Sequence, residues 1–458
     1  MKICLINPPW LVKKGNIWRQ IRSIMPPLGL LYLASSLEKE NIEVEILDFQ
    51  ANFSSWEQIE NTVKLQEYEF YGITSTTPII NNSYRISKII KKHYPNSKVI
   101  FGGVHVTALP EEALGEKSID FVIRGEGENS LLELMKGTPF ENIPGLSYRK
   151  EDKFYHIKPD GLISDLDSLP FPAFHKINLK LYKPAFGAYK NLPAINMMAT
   201  RGCLGKCTFC NSANIQLRKR SAENIFSEMK ILANEYGIRE IQFYDDTFTV
   251  YHDNIDKLCD LLITNKIKIT WCCFARTDCV TQGLLNKMKR AGCHQVMYGI
   301  ETVDAGILKN IKKNINSNNN IKAIEMAKKA GITVRCTFMF GNPGETPKTI
   351  DDTIRYSIQL DPDIALYNIT TPYPGTEMFN WAEKNEYLVT KDWADYDLSY
   401  PVMQLPTISM DMLNRKYKQA FRDFYFRPKF MINRLFKKSF SCKDILTFIE
   451  GLKKVWNF

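Results

Sequence analysis

The chain has 458 residues, of which 44% are hydrophobic and 24% are charged. This composition predicts a packed globular protein of two or three domains and excludes general disorder. No run of about 18 apolar residues is present, so we expect no transmembrane helix. The formal net charge is +10, and twelve Lys and Arg residues against four Asp and Glu residues lie after Met410. A near-neutral body with a basic tail does not favour a nucleic-acid partner.

The amino terminus and the cysteines indicate the compartment. Residues 1–9 have the pattern of a short strand that runs into a turn, without a signal-peptide cleavage pattern, so we expect a cytoplasmic protein. Eleven cysteines in that compartment are expected to be thiols or metal ligands rather than disulfides.

Strand and helix patterns alternate in the first part of the chain. Apolar strand patterns cover 2–7, 43–48, 70–75, 98–102 and 121–124, and helix patterns cover 28–40 and 83–93. Such alternation predicts a doubly wound parallel sheet with helices on both faces. In sheets of this kind ligands bind beyond the carboxyl ends of the strands. We therefore predict a first domain over 1–140 with a site at its strand ends.

A Pro-rich stretch at 169–172 predicts an interdomain linker over 141–190. Six further strand patterns follow, at 194–200, 240–244, 270–275, 295–299, 333–340 and 364–370. Six strands alternating with helices predict a partial (β/α)6 barrel of the TIM type over 191–380, with catalytic groups at its C-terminal rim. The remaining segment, 381–458, lacks this rhythm, and 409–426 has the pattern of a helix.

Three cysteines follow the first strand of the second series: Cys203, Cys207 and Cys210. Three thiolates at this spacing can bind three irons of a cubane cluster and leave the fourth iron without a protein ligand. A closed zinc site would need a fourth ligand, and no further Cys or His is near in sequence. The alternative of three unrelated buried cysteines stays open, but the spacing favours an iron–sulfur cluster.

The Cys-x3-Cys-x2-Cys motif, with an aromatic residue before its last cysteine, resembles the radical S-adenosylmethionine (SAM) superfamily. The resemblance implies a [4Fe–4S] cluster on the three cysteines, whose open iron chelates SAM and whose electron cleaves SAM to a 5′-deoxyadenosyl radical. It also implies that residues in the motif and at the later strand ends contact SAM. These residues are Phe209, Asp245, Asp246, Glu301, Arg335 and Gly341.

The chemistry of these residue types suits the roles that the resemblance implies. The carboxylates after the second barrel strand can accept hydrogen bonds from the methionine ammonium group, although Asp-Asp replaces the Gly-Gly-Glu of many family members. Glu301 can bond the ribose hydroxyls, Arg335 can pair with the methionine carboxylate, and Gly341 permits a close backbone approach to adenine. The alternative for each is an ordinary turn at the barrel rim.

The first domain resembles the cobalamin-binding domain that often precedes such barrels. The Thr/Ser run 74–77 and Gly102-Gly103 match the elements that line the nucleotide tail of the cofactor. The residues that the resemblance assigns to cobalamin are Pro8, Pro9, Thr74, Ser75, Thr76, Gly102, Gly103, His105, Gly125 and Glu126. The Asp-x-His-x-x-Gly motif that ligates cobalt from below in many such domains is absent. We therefore expect an open or water-bound lower face, and His105 either lies near the corrin or bonds its own loop.

Two interpretations of the C-terminal segment stay open. Its predicted helix carries aromatic residues at helical spacing, and a basic, aromatic run continues to Phe440. One interpretation is a helical cap that closes the barrel mouth. The other is a peripheral contact with anionic lipid, which would suit a lipid-like substrate.

The resemblance implies a cobalamin-dependent radical SAM enzyme, with methylation of an unactivated carbon as the first choice of reaction. One SAM would methylate cobalamin, and a second would supply the radical that opens a substrate C–H bond. The alternatives are cyclisation, rearrangement or coupling by the same parts, a barrel that is active beside an empty first domain, and a non-catalytic metal-binding scaffold. Expected partners are a small-molecule or lipid-like substrate and an electron donor such as flavodoxin or ferredoxin.

Overall fold

A computed structural model describes residues 1–11, 23–53, 55–159, 161–185, 187–435 and Lys453. Within them the chain forms two mainly parallel sheets flanked by helices, followed by a helical C-terminal part. This confirms the predicted α/β class. None of the helices in these ranges is long and apolar enough to cross a bilayer. Most of the basic run in the lipid-contact hypothesis lies outside the described residues.

The first sheet is built from seven strands. They are β1 (Lys2–Asn7), β2 (Glu43–Asp48), β3 (Phe70–Thr74), β4 (Lys98–Gly102), β5 (Phe121–Ile123), β6 (Leu146–Lys150) and β7 (Lys153–His156). The helices of this part are α1 (Leu28–Glu38), α2 (Phe49–Asn52), α3 (Trp56–Lys64), α4 (Ile80–His93), α5 (Val104–Ala108), α6 (Pro110–Gly115) and α7 (Glu128–Met135). The order in the sheet is β2–β1–β3–β4–β5–β6–β7.

The doubly wound arrangement is confirmed for β1 to β5, which are parallel. Buried residues of α1 and α7 pack on one face of the sheet, and those of α3 and α4 pack on the other. Strands β6 and β7 add an antiparallel edge inside the segment predicted as a linker. All four residues of β7 are exposed, so no buried apolar pattern marks it in the sequence. The first sheet therefore extends beyond residue 140.

The second part of the chain contains eight strands. They are β8 (Ala194–Met197), β9 (Thr200–Arg201), β10 (Arg218–Lys219), β11 (Glu240–Phe243), β12 (Thr270–Ala275), β13 (Cys293–Glu301), β14 (Thr333–Phe340) and β15 (Ile364–Ile369). Its helices are α8 (Ala222–Asn234), α9 (His252–Thr264), α10 (Gln282–Arg290), α11 (Ala305–Asn310), α12 (Ser317–Lys329), α13 (Pro347–Leu360), α14 (Glu377–Lys384), α15 (Met410–Tyr425) and α16 (Pro428–Leu435).

Six of these strands form one parallel sheet in the order β8–β11–β12–β13–β14–β15. Its edge strands β8 and β15 do not pair with each other, which confirms a partial barrel. Strands β9 and β10 form a separate antiparallel pair. Each of the six parallel strands overlaps a strand predicted from the sequence, because strands covered on both faces are apolar enough to predict.

The N-terminal end of the barrel is closed by the segment 187–191. The buried Glu240 carboxylate accepts hydrogen bonds from the N–H groups of Lys190 and Asn191, at 2.8 and 2.7 Å. Gln242 Nε2 donates to a carbonyl of the same segment at 2.8 Å. Because these bonds hold the segment across this end, a site with access to ligands is expected at the opposite, C-terminal rim.

The two sheets share a core through α1. Leu31 of this helix belongs to the same buried apolar cluster as Ile195 and Met229 of the barrel. Asn196 Nδ2 also donates to the carbonyl of Pro26, just before α1, at 3.1 Å. The first domain and the barrel are therefore packed as one unit around this helix.

The helix predicted over 409–426 is confirmed as α15, which lies along the edge strand β15. The rings of Phe421 and Tyr367 are 5.1 Å apart in an edge-to-face arrangement. The Tyr425 hydroxyl donates to the carbonyl of Ala365 at 2.8 Å and accepts from its N–H at 3.2 Å. The helix thus covers a strand edge that would otherwise expose unpaired backbone groups.

Candidate functional site

The cysteine motif lies on the long connection between β9 and β10, next to the C-terminal end of the barrel. Cys203, Cys207 and Cys210 are half-buried free thiols. Backbone bonds fix the connection: the Cys203 N–H donates to Ile215 O at 3.1 Å, and the Cys210 N–H donates to Cys207 O at 3.2 Å. The three thiols are therefore held on one ordered loop, which we call the cysteine loop (202–216).

A space beside Gly205 is bordered by two of the thiols. A Cβ at this position would lie 3.3 Å from Cys203 Sγ and 3.8 Å from Cys207 Sγ. The Arg276 guanidinium, at the end of β12, would be 3.7 Å from the same point. Two soft thiolates that converge on one point, with a guanidinium beside them, have the donor chemistry that suits an anionic iron–sulfur cluster.

Burial raises the pKa of the Cys207 thiol, and the positive charges of Lys313 and Arg276 oppose that increase. Burial also raises the pKa of Cys210. The two cations carry no motif that would mark them in the sequence. Arg276 simply follows a predicted strand, and Lys313 belongs to a Lys-Lys-Asn run. Sequence reasoning missed both residues because only the fold brings them to the cysteine loop.

Asp245 accepts hydrogen bonds from its own chain, whereas the sequence predicted a contact with the methionine ammonium group of SAM. Its Oδ1 accepts hydrogen bonds from the N–H of Ala199 at 2.9 Å, from the Thr200 Oγ1 at 2.6 Å and from the Thr200 N–H. Its buried Oδ2 has no hydrogen-bond partner among the described residues. Burial raises the pKa of Asp245 to about 7. The neighbouring Asp246 is exposed. Burial raises the pKa of Asp246, and a hydrogen bond from Ser212 opposes that increase. Both carboxylates therefore keep acceptor capacity for a ligand.

Glu301 ends β13 with a positive φ of 67°. Its Oε1 lies 2.5 Å from Lys313 Nζ, and both side chains are nearly buried. Phe209, within the cysteine loop, packs with the apolar cluster around Met378. The structure therefore brings Phe209, Asp246 and Glu301 to the C-terminal end of the barrel with the cysteine loop.

Arg335 and Gly341 differ in their positions relative to the cysteine loop. Arg335 is the third residue of β14, and strand pairing places it level with Phe274 of β12, whose ring stacks on that of Tyr244 just after β11. Arg335 Nη1 donates to Gln295 Oε1 at 3.3 Å, and burial lowers the pKa of Arg335. Gly341 is at the rim, but a Cβ there would lie 2.9 Å from the Leu413 side chain of α15. The Arg335 Nε is buried without a hydrogen-bond partner among the described residues, so the guanidinium keeps a donor for a ligand. The side of Gly341 that lacks a Cβ faces a helix.

A cavity of about 460 Å³ opens where the strand ends of the first sheet approach the barrel. Its floor comes from β1, β3, β4 and β5, and one wall comes from α1. The residues that the barrel part contributes are Asn196, Met198, Arg201 and Tyr244. Most of the lining is apolar, and the Asn196 Oδ1 is buried without a partner among the described residues. An apolar slot with one unused acceptor fits a large ligand that carries amide N–H donors, as cobalamin does.

Half of the residues assigned to cobalamin line this cavity: Thr74, Gly102, Gly103, Gly125 and Glu126. The others, Pro8, Pro9, Ser75, Thr76 and His105, are not among its lining residues. His105 is buried, with Nδ1 at 3.2 Å from Thr77 Oγ1 and Nε2 at 3.4 Å from Glu112 Oε1. It also packs edge-to-face against Trp393. His105 therefore bonds its surroundings and does not reach the cavity, because α5 carries it towards α6.

The glycine pair at the end of β4 has two separate roles. Gly103 has a φ of +107°, and a Cβ there would lie 2.6 Å from Ser75 O and 2.9 Å from Ser75 N. Gly103 is thus required by the close approach of two loops. A Cβ on Gly102 would meet nothing closer than Ile123 O at 3.8 Å. Gly102 is therefore the position where a side chain would occupy the cavity without moving the backbone.

Ion pairs connect the cavity to the cysteine loop. The Glu126 carboxylate binds Arg218 through both oxygens, at 2.9 and 2.8 Å, and lies 3.4 Å from Arg201. Arg201 also donates to Glu128 at 2.6 Å. Burial opposes ionisation of Glu126, but hydrogen bonds from Arg218 and from the Ile163 N–H hold its pKa below the usual range. Since Arg201 and Arg218 flank the cysteine loop on β9 and β10, the predicted cobalamin loop fixes the position of that loop.

Asp245 predicts a pH dependence of stability. Its folded pKa of about 7 exceeds the unfolded value of 3.8, so its contribution is complete in acid and is lost as the pH rises towards and through 7. Asp245→Asn keeps the Oδ1 acceptor and removes the charge. We expect the variant to lose less thermal stability than the wild type between about pH 5 and about pH 7.

Thermal unfolding midpoints of the apo protein measure this difference. Glu345 is also buried with a pKa raised to about 7, so part of the slope remains in the variant. Asp253→Asn removes an exposed acid of α9 and is the matched control, with the full wild-type slope. Equal slopes for Asp245→Asn and the wild type would contradict the assignment.

Comparison with known proteins agrees with this architecture. Residues 197–357 match the radical SAM superfamily, and residues 17–135 match the B12 binding domain. An uncharacterized methyltransferase of Pyrococcus horikoshii is 36% identical over 449 residues, which cover 95% of both chains. An anaerobic magnesium-protoporphyrin IX monomethyl ester cyclase of Cereibacter sphaeroides is 26% identical, over 93% of this chain and 71% of the relative.

The fold is also similar to that of the cobalamin-dependent S-adenosylmethionine radical enzyme OxsB, with a TM-score of 0.74. The alignment covers 99% of this chain and 71% of OxsB at 18% identity, so it supports the fold alone. The 36% identity to the Pyrococcus relative, over nearly the whole length of both chains, shows that the two proteins belong to one family. The chain belongs to the family of radical SAM enzymes with an N-terminal B12-binding domain, for which a [4Fe–4S] cluster, SAM and cobalamin are the cofactors.

Proposed function

We propose that the protein methylates an unactivated carbon of a small-molecule substrate. The observation that carries this proposal is that one residue, Arg201, lines the cavity of the first sheet and stands two positions before Cys203. When bound, the cluster and SAM supply the hydrogen-abstracting radical, and cobalamin supplies the methyl group. A substrate between the cavity and the cysteine loop would have both groups within reach.

Different residues of the chain would serve different parts of this reaction. The three thiols of the cysteine loop would hold three irons, and Asp246 and Glu301 would orient SAM. The apolar lining of the cavity excludes water, which protects a reactive carbon from side reactions. The ion pairs of Glu126 hold the two ligand sites at a fixed separation, and fixed separation is the main contribution a protein can make to such a transfer. An electron donor is required, for which flavodoxin or ferredoxin is suitable.

A second candidate is a cyclisation or rearrangement by the same parts. It is favoured by one observation, the similarity over 93% of the chain to a protein named as a cyclase. The two candidates differ in whether the methyl group of SAM reaches the product, so one labelling experiment separates them.

The labelling experiment uses SAM with a ¹³C-methyl group. The anaerobically reconstituted protein is incubated with reductant and an extract of the source organism, and new labelled compounds are sought by mass spectrometry. We expect at least one product with one labelled methyl group, together with 5′-deoxyadenosine. Cys207→Ala removes a thiol that would bind an iron, so this variant should form neither compound.

Cys336→Ala is the control for this variant, because Cys336 is a buried cysteine of β14 away from the cysteine loop. It should retain both products if it remains folded. Full activity of Cys207→Ala would contradict the cluster assignment. Formation of 5′-deoxyadenosine without any labelled product would favour the cyclisation candidate.

A substitution at Gly102 tests whether cobalamin binds in the cavity of the first sheet. In Gly102→Val the added side chain projects into the cavity, and its Cβ meets no atom within 3.4 Å. We expect cobalamin binding to fall by about tenfold or more while the iron content stays unchanged. Cobalt and iron are counted after reconstitution with hydroxocobalamin.

Gly115→Val is the matched control, because Gly115 ends α6 and has no atom within 4 Å of its Cβ position. It should bind as much cobalamin as the wild type. Wild-type cobalt content in Gly102→Val would show that the ligand does not use this cavity.

A further inference from the structure

A pocket of about 570 Å³ lies beside the cysteine loop. Its charged lining consists of four lysines: Lys206, Lys309, Lys312 and Lys313. Lys206 belongs to the cysteine loop, between two of the thiols, and the others come from α11 and the turn after it. No acidic side chain of the described residues lines this pocket. We call these four residues the lysine surface.

The lysine surface is attached directly to the cysteine loop. The Thr208 N–H, between Cys207 and Cys210, donates to Ile311 O at 3.1 Å. Ile311 immediately precedes Lys312. On its other side, the Thr208 carbonyl accepts from the Met378 N–H at 2.9 Å. A partner bound at this surface would therefore lie against the backbone that carries the cluster ligands.

The charges of this surface differ in their availability. Lys206 and Lys309 are exposed, and neither has an ion-pair partner in the part of the chain that the structure describes. Lys312 pairs with the exposed Glu377 at 2.7 Å, and Lys313 pairs with Glu301. Leu204, also on the cysteine loop, is 66% exposed. Leu204 stands two positions before Lys206, so an exposed apolar side chain and an unpaired positive charge lie on the same loop.

We propose that the lysine surface docks a small acidic electron-transfer protein that reduces the cluster. The proposal rests on the assignment of the cluster to Cys203, Cys207 and Cys210. One electron leaves the donor, which is oxidised by one electron, and enters the cluster, which is reduced by one electron. No covalent bond forms or breaks at the interface, and no other reactant is needed.

The chemistry of the surface favours a protein over a small anion. Lys206 and Lys309 are exposed point charges without an ion-pair partner among the described residues, and such charges steer an acidic partner at long range. Tight phosphate binding typically uses the planar fork of Arg instead. A small anion would also leave Leu204 exposed. Complementary charge increases the association rate more than the affinity, which suits a donor that must bind and leave in each turnover.

The test is the rate at which a reduced donor reduces the reconstituted cluster, followed by stopped-flow absorbance. Reduced flavodoxin and reduced ferredoxin are the two donors, at low and at high salt. The variants are Lys206→Glu/Lys309→Glu and Lys309→Glu/Lys312→Glu. The second double variant changes no residue of the cysteine loop, so it tests the lysine surface even if the first double variant does not bind a cluster.

We expect each charge-reversed pair to slow reduction by at least one donor by about tenfold or more at low salt. The difference from the wild type should shrink at high salt, because salt screens exposed charges. Reduction by dithionite, a small anion that needs no docking surface, should change much less. The control pair Lys117→Glu/Lys230→Glu reverses exposed lysines of the first domain and of α8 and should keep the wild-type rate.

Wild-type rates with both donors in both charge-reversed pairs would overturn the proposal. So would equal slowing in the control pair, because this would reflect net charge alone. A cluster that dithionite reduces normally keeps the proposed function intact in either case. A protein that binds no cluster would instead contradict the proposed function, and this is measured before any donor is added.

Discussion

The ion pairs between Glu126 and the arginines of β9 and β10 hold the cysteine loop against the first sheet, which packs on the barrel through α1. Arg218 is almost fully buried and Glu126 is largely buried, so removing the carboxylate would leave guanidinium charge in a poorly solvated place. Loss of one partner of such a pair typically costs about 3–5 kcal/mol. The same residues border the cavity and flank the cysteine loop. These ion pairs, together with the apolar core around α1, therefore hold the two proposed ligand sites at a fixed distance.

Other residues of the site fix the position of the segments around these ion pairs. Asp245 binds the backbone at 199–200, where the chain leaves β8 and enters β9, so it fixes the segment just before Arg201. Gly103 allows the loop after β4 to approach Ser75, which shapes the cavity floor. Lys313 and Arg276 add positive charge at the cysteine loop. These groups act through position and charge, which suits a reaction in which the ligands supply the reactive bonds.

Much of the fold is predictable from the sequence, because buried parallel strands are apolar runs between turns. The partial barrel, the doubly wound sheet and α15 follow from such patterns. Strand β7 does not, because all its side chains are exposed. The cysteines and the glycine pair are recognisable because their chemistry requires a particular residue type at a particular spacing.

Other parts of the site could not be predicted, because they depend on tertiary contacts. The position of Arg335 level with Tyr244 follows from the register of four strands, which no local sequence pattern reveals. His105 follows the glycine pair, yet the short helix α5 turns it towards Glu112. Arg201, Arg218 and Lys313 belong to no motif. Their roles arise only when strands distant in sequence come together.

The most direct test of a shared site is electron paramagnetic resonance of the protein reconstituted with iron, sulfide and hydroxocobalamin. A mild reductant first converts the cobalt(III) of bound hydroxocobalamin to cobalt(II). The cobalt(II) signal is recorded with the cluster still oxidised, and again after a stronger reductant has reduced the cluster. Our account predicts one cobalt and about four irons per chain, and a cobalt signal that relaxes faster when the nearby cluster is paramagnetic. Cys207→Ala should abolish this effect. A cobalt signal that is the same in both cluster states, or a protein that binds irons but no cobalt, would contradict the account.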